Sequence, residues 1–291
     1  MSTSTSKSKG LRELIAQHCV AMPGVPNALM ARQVERADFD AVYISGAGIA
    51  NATAGVPDIG LLGMSEVVRL AGYIAQAVKI PAIVDADTGF GGAENVARTV
   101  RELEAAGLAG CHIEDQQFPK RCGHLAGKSI VELAEMREKL KAAVAARRDS
   151  DFLVIARTDS RALEGFGEAI RRAHAYLENG ADGIFPEALQ SAQEFRDFAK
   201  EVNAPLLANM TEFGQSPLLR FDELAGYGYR MVIYPMSALR VAMKASEEFL
   251  RDLKNRGAQM EWLDRMQTRR QLYELLEYDP SAESWGGFRD R

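Results

Sequence analysis

A chain of 291 residues, 47% hydrophobic and 26% charged, has the composition of an ordinary globular protein and is long enough for one large α/β barrel. Its formal charge of -5 with no long basic block argues against nucleic acid as a partner, and no apolar run approaches the roughly 18 residues of a membrane span. Three cysteines, Cys19, Cys111 and Cys122, form neither a CxxC pair nor a metal-finger spacing, so a reducing compartment and a cytoplasmic protein are expected.

In chain order, the serine-rich start reads as a disordered tail over residues 1–9 and lacks the apolar centre of a secretory signal. One domain is expected over 10–278, followed by a second polar tail over 279–291. Within the domain, short apolar runs recur at VAMPGV (20–25), AVYISG (41–46), PAIVDAD (81–87), GCHIED (110–115), FLVIARTD (152–159), DGIFPEA (182–188), PLLANMTE (205–212) and MVIYPMS (231–237). Runs that are apolar throughout suggest strands buried on both faces, as in a parallel sheet. Between them lie helical periodicities. ENVARTVRELEAAG (94–107) sets Val96, Val100 and Leu103 on one face and stops at a glycine; EAIRRAHAYLENG (168–180) and QEFRDFAKEV (193–202) repeat the arrangement. Eight alternating units predict a (β/α)8 barrel of the TIM type. SGAGIANATAG (45–55) lacks the GxGxxG spacing of a dinucleotide-binding turn. Beyond the last unit, MEWLDRMQTRRQLYELLEY (260–278) reads as one further amphipathic helix with Trp262, Leu263, Met266 and Leu272 on its apolar face.

Polar residues collect where these strands end, which is where a barrel of this kind builds its site. They are Ser45, Asp85, Asp87, Glu114, Asp115, Arg157, Asp159, Glu187, Asn209 and Thr211. Asp85 and Asp87 stand two apart at a strand end, so both carboxylates are expected to point the same way. Capping or salt-bridging would account for such a pair alone. With Glu114 alongside and glycines at 89, 91 and 92, hard oxygen ligands for Mg2+, or Mn2+, become the better reading. Arg157, Arg240 and Arg269 either pair with neighbouring acids or converge on a polyanionic small substrate. Cys122 and His124 lie in FPKRCGHLAGKS (118–129) among Lys120, Arg121 and Lys128. The cationic neighbours favour a thiolate on a loop able to close over substrate, while a structural cysteine and a surface histidine fit the spacing equally well. Cys19 and Cys111 read as structural.

KRCGH (120–124), VDADTGFG (84–91), HIEDQ (112–116), ARTD (156–159) and NMTEFG (209–214) together resemble the isocitrate lyase and phosphoenolpyruvate mutase superfamily over about residues 10–278. TEFG (211–214), YPMSALR (234–240) and MQTRRQLYE (266–274) resemble most its 2-methylisocitrate lyases; isocitrate lyases carry a large insertion for which this chain has no room. The resemblance implies Mg2+-assisted retro-aldol cleavage of 2-methylisocitrate to pyruvate and succinate, a step of the methylcitrate route for propionate. It implies Asp85, Asp87 and Glu114 at the metal, Cys122 as general acid and Tyr43 as base. Lys120 and Arg121 would hold the loop and tune the thiol. Ser45, Gly46, Ala47, Asp58, Gly123, His124, Arg157, Glu187, Asn209, Thr211, Arg240 and Arg269 would bind the tricarboxylate. A homotetramer exchanging C-terminal helices is implied as well. Two positions depart from the usual pattern: Leu125-Ala126-Gly127 stands where Arg-Pro-Asn is common, and SGAG where SGGG is usual. The first resembles 2,3-dimethylmalate lyases, which leaves a 2-alkylmalate as the alternative substrate and a non-catalytic binding barrel as the remote one.

Overall fold

The computed structural model of the protein describes residues 6–125 and 127–282. Eight strands form, one in each of the eight apolar runs: β1 (Val20–Val25), β2 (Val42–Ile44), β3 (Ala82–Asp85), β4 (Gly110–Glu114), β5 (Leu153–Thr158), β6 (Gly183–Pro186), β7 (Leu207–Asn209) and β8 (Met231–Tyr234). Each pairs with its sequence neighbour in parallel, and β1 pairs with β8. A single parallel bridge, Ile184 to Leu206, joins β6 to the approach of β7 and closes the ring. The expected (β/α)8 barrel is therefore present.

The helices are α1 (Lys7–Gln17), α2 (Ala28–Arg36), α3 (Gly46–Ile49), α4 (Met64–Ala77), α5 (Ala93–Ala105) and α6 (Leu133–Ala146), then α7 (Arg161–Glu164), α8 (Phe166–Glu178), α9 (Ala192–Glu201), α10 (Phe221–Tyr227), α11 (Ser237–Arg256) and α12 (Arg269–Leu275). Strand side chains alternate between two apolar layers. Tyr43, Ile83, Leu153, Ile155, Phe185, Leu207 and Ile233 fill the barrel, and Val42, Val84, Cys111, Val154, Ile184 and Val232 pack outward under the helices. On α5, Val96, Val100 and Leu103 are fully buried in that outer layer. Leu11 and Ile15 of α1 join the inner layer, so α1 plugs the N-terminal end of the barrel and leaves the C-terminal end open. Among the described residues, no helix is long and apolar enough to cross a membrane.

The termini differ from the sequence reading. Ser6 caps α1 by accepting the Lys9 N–H, so residues 7–9, read as tail, form its first turn. Residues 1–5 and 283–291 of the two expected tails lie outside the described residues. The expected single helix over 260–278 is instead a 3-10 turn at Met260–Arg265 followed by α12. The cause is local. Thr268 and Gln271 form a reciprocal capping box that starts a new helix, a T-x-x-Q signal readable in the sequence. α12 lies against α2, where Arg32 donates to the Leu275 carbonyl at 3.0 Å.

α11 behaves unlike the other barrel helices. None of its twenty residues is buried, and Val241, Met243 and Leu250 are 72%, 59% and 60% exposed. Phe249 meets Trp262 of the 3-10 turn edge-on, and Trp262 donates to Asp252, so the helix, whose start lies against β1, folds back on its own extension further along.

Candidate active site

The alternation that fills the barrel with apolar residues turns polar at its open end. Ser45 follows β2, Asp85 and Glu114 end β3 and β4, Arg157 is the last inward residue of β5, Glu187 follows β6, and Asn209 ends β7. Register brings them together, since Asp85 pairs with His112 and Glu114 with Arg157 across adjacent strands. Tyr43, Ser45, Ala47, Asp58, Asp85, Cys122, Gly123, His124, Arg157, Glu187, Asn209, Thr211 and Arg240 line one cavity of about 300 Å3. Strand-end position thus brings most of the residues read from sequence to one cavity.

Arg157 is the hub. Its guanidinium lies 3.2 Å from Glu114, 3.0 Å from Asp159 and 3.2 Å from Glu187, and its side chain is 8% exposed. All three carboxylates are almost fully buried, so the acid-pairing reading holds for Arg157, which frames the site. Burial pushes the Glu114 carboxyl well up, and Arg157 and Lys120 only partly oppose this. For Glu187 burial also favours the neutral acid, but Arg157 and His124 outweigh it and hold the carboxyl well below the usual range. Asn209 Nδ2 donates to both Glu187 oxygens at 3.3 Å.

β3 stops at Asp85, and Asp87 sits in the left-handed region at φ 47°. The two-residue alternation therefore does not extend to Asp87, which is placed by a tight turn in which its N–H donates to Asp85 Oδ1 at 2.9 Å. Lys120, 2% exposed at its side chain, contacts Asp58 and reaches Asp87 at 2.5 Å. Burial pushes Asp87 up to about 6 against the pull of Lys120.

Among the described residues, no three Asp, Glu, His or Cys side chains converge as a complete ligand set. A hard divalent ion held by one or two carboxylates, with water and substrate supplying the rest, needs no such set. Beside Asp85, Glu114 Oε1 is buried without a hydrogen-bond partner, while Asp87 Oδ1 and Glu114 Oε2 face only the cationic Lys120 and Arg157. An all-oxygen donor set with unsatisfied buried atoms fits Mg2+ or Mn2+. Gly46 closes this corner, because a Cβ there would fall 2.9 Å from Asp85 Oδ2. Ser45 caps α3 by accepting the Gly48 N–H at 3.1 Å.

The thiolate expected of Cys122 is not what its surroundings favour. Burial pushes the thiol up, and Arg157 offsets this only in part. The basic residues that suggested a thiolate are engaged elsewhere: Lys120 with Asp58 and Asp87, Lys128 with Asp159. A protonated thiol is the form a proton donor needs. Cys19 and Cys111 are buried, and burial pushes them up to about 11 and 12, as suits structural cysteines.

His124 binds rather than lying on the surface. Gln215 N–H donates to its Nδ1 at 2.9 Å, which puts the ring proton on Nε2, 3.0 Å from Glu187 Oε1. Gly123 rests on the hub, where a Cβ would lie 2.2 Å from Arg157 NH2. The Tyr43 hydroxyl meets His112 Nε2 at 2.8 Å, and the two rings stack. Burial pushes the Tyr43 phenol well up and the Asp85 charge adds to it, while burial lowers His112 to about 4. Arg240 lies at the rim, 3.4 Å from Glu212 and over the Phe213 ring.

Arg269 is the sequence-predicted residue that the fold does not bring to this mouth. It is exposed at the start of α12, on the outer face of the barrel beside α2. Arg121 is exposed as well; its backbone is bracketed by the Gln116 side chain, with N–H to Oε1 and Nε2–H to carbonyl both at 2.9 Å. His112, Gln116, Lys128 and Glu212 all touch the site and were not singled out from sequence. The available signal was weak: His112 precedes Glu114 by one inward step, and Glu212 follows the Asn209 strand end.

Residues 11–254 match the model of the family described as phosphoenolpyruvate phosphomutase. A 2-methylisocitrate lyase of Aeropyrum pernix is 51% identical over 269 residues, which is 92% of this chain and 86% of the relative. A crystal structure of 2,3-dimethylmalate lyase superposes with a TM-score of 0.89 at 37% identity, covering 94% of this chain and 92% of that one. A structure of phosphonopyruvate hydrolase in complex with oxalate and Mg2+ gives a TM-score of 0.84 at 34% identity, covering 93% and 95%. The order of motifs, the barrel and these relatives agree: the chain belongs to the phosphoenolpyruvate phosphomutase family, with 2-methylisocitrate lyases among its relatives.

Proposed function

We propose that this protein cleaves 2-methylisocitrate to pyruvate and succinate, the lyase step of the methylcitrate route for propionate, in the cytoplasm. The observation that carries the reading is the half-buried Cys122 thiol, pushed up by desolvation, on a loop laid over a carboxylate cluster in a chain half identical to a 2-methylisocitrate lyase. Asp85 and Asp87, with Glu114 beneath, would hold Mg2+ (or Mn2+), which supplies charge for the substrate's hydroxyl oxygen and neighbouring carboxylate.

The residues of the chain do the rest. Ser45, Gly46 and Ala47 bind the pyruvate-forming half. Tyr43 Oη, oriented by its 2.8 Å hydrogen bond to His112 Nε2, is the group placed to receive the substrate's hydroxyl proton. Breaking the C2–C3 bond leaves the electron pair on the succinate half, and Cys122 Sγ delivers a proton to that carbon. His124, Asn209, Thr211 and Arg240 bind its carboxylates, with Arg157 and Glu187 as their frame. Lys120 ties the loop to Asp58 and Asp87, and the seated loop excludes water from the carbanion.

The bare face of α11 supports the homotetramer with exchanged C-terminal helices. An apolar groove of about 610 Å3 lies between α2 and the start of α11, lined by Met30, Val34, Phe39, Phe221 and Tyr234. A neighbour's α11 seated there would cover both apolar surfaces, and only such an exchange lets Arg269 serve a mouth.

The specific observation favouring a 2-alkylmalate instead is the Leu125–Gly127 stretch together with the 2,3-dimethylmalate lyase superposition. Leu125, however, is 58% exposed and is not among the residues lining the cavity. Mg2+-dependent pyruvate release is to be assayed on 2-methylisocitrate, isocitrate and 2,3-dimethylmalate side by side. We expect the first to be preferred; preference for 2,3-dimethylmalate would transfer the assignment.

A further inference from the structure

The segment between β4 and α6 is fastened at two levels. At its neck, Gln116 and Ile130 form an antiparallel bridge and Gln117 N–H donates to the Ser129 carbonyl at 2.8 Å. At its tip, Lys128 Nζ donates to the Gly123 carbonyl and, at 2.7 Å, to Asp159 Oδ1. The lysine side chain is 2% exposed and the aspartate 0%. A long cationic side chain is desolvated here to reach back five residues along its own loop, which neck pairing alone does not require.

We propose that Lys128 is the positioning residue that seats Cys122, by tying the Gly123 carbonyl to the carboxylate that orients Arg157. Asp159 accepts from Arg157 Nε at 3.0 Å and from Arg157 NH2 at 3.2 Å. Its own N–H donates to Asp115, whose carboxylate is in turn held by Thr158 and Tyr176. The tie therefore ends on a rigid foundation. Gly123 adds no side chain between the loop backbone and Arg157, so the tie sets the height of the neighbouring Cys122 sulfur above the hub. Residues 124–127 lie between the two ends of the tie.

The inference rests on the general-acid reading only for its kinetic arm. The test uses full-length Lys128→Met, in which Asp159 keeps Arg157 and Gln116 as partners. Iodoacetamide labelling of Cys122 is followed by peptide mass spectrometry without substrate, with buried Cys19 and Cys111 as internal controls. We expect Cys122 to label roughly tenfold or more faster, through local opening, while the controls stay slow. Loss of a positive charge alone would slow a thiol, so acceleration reports the loop. Turnover should fall about 100-fold, as for a misplaced catalytic group, with KM changed less than about threefold. Wild-type labelling of Cys122 overturns the proposal, and so does equal acceleration of all three cysteines, which would mark Lys128 as a general stabiliser. If Lys128→Met does not fold, Lys128→Gln carries the same expectation. If the wild type cleaves none of the three acids, the substrate assignment fails while the labelling result stands.

Discussion

Two segments of this chain leave the barrel, and they are treated in opposite ways. The loop at 118–129 is short, polar and fastened by buried charged groups of its own chain: Lys120 to Asp58 and Asp87, His124 to Glu187, Lys128 to Asp159. The segment from Ser237 to Leu275 is long and amphipathic, and over α11 it buries nothing. The first contrast is one of forces. Ion pairs and hydrogen bonds are directional and fix the loop that carries Cys122 over a small cavity. An exposed apolar face is non-directional and gains stability only when something covers it. The loop is held over the cavity by groups of its own chain; the C-terminal segment leaves its apolar face bare.

Breaking the loop at its chemical centre should have the largest effect. Cys122→Ser is expected to lower kcat by roughly 100- to 10,000-fold, the usual contribution of an acid–base group, while calorimetry shows substrate binding unchanged. Near-normal turnover would remove Cys122 from the reaction. On the other segment, Val241→Asp with Leu250→Asp places two charges on the bare face, where each apolar side chain contributes about 1.5–3 kcal/mol when covered. Sedimentation should then show a tetramer falling apart into smaller species; an unchanged assembly would mean that this face is not the one covered.

Arg240 sharpens the comparison, since it stands at the root of α11 yet lines the mouth. Arg240→Ala removes one charged hydrogen-bonding group, a loss of about 1.5–3 kcal/mol, or roughly tenfold to 100-fold in kcat/KM on the tricarboxylate. A smaller loss is expected on 2,3-dimethylmalate; equal losses would separate Arg240 from substrate choice.

The smallest expected effect is one of pH. Burial lowers His112 from 6.5 to about 4, so its contribution to stability is full above pH 6.5 and is lost as pH falls towards 4. By pH 5 the loss is about 2 kcal/mol. Asp87, pushed up to about 6, acts in the opposite direction over the same range, but it does so in wild type and variant alike. Thermal unfolding between pH 7 and 5 should therefore cost the wild type about 2 kcal/mol more than His112→Asn. Parallel curves would contradict a neutral buried imidazole.

Much of this was legible before any coordinates. Strands buried on both faces announce themselves as continuous apolar runs, and in a barrel the inward polar residue at each strand end must face the mouth. That placed Ser45, Asp85, Glu114, Arg157, Glu187 and Asn209 together. The same rule misled at Asp87, because alternation ends where the strand does and a left-handed turn takes over. For Cys122 the sequence left thiolate and structural thiol open, because it could not show that folding turns Lys120 and Lys128 towards buried carboxylates. The broken C-terminal helix was readable in Thr268 and Gln271, and was missed because periodicity was weighed above capping.

By itself, the sequence determined the barrel, the strand ends that carry the chemistry and the family, because each depends on local pattern and on residues in order. Only the tertiary structure decided which carboxylate neutralises which cation, that Arg157 sits at the hub, that burial pushes the Cys122 thiol up, and that Arg269 lies outside its own mouth. Those outcomes depend on burial and on distances between residues far apart in the chain. In a low-dielectric interior, such distances set protonation and pairing more strongly than sequence proximity does.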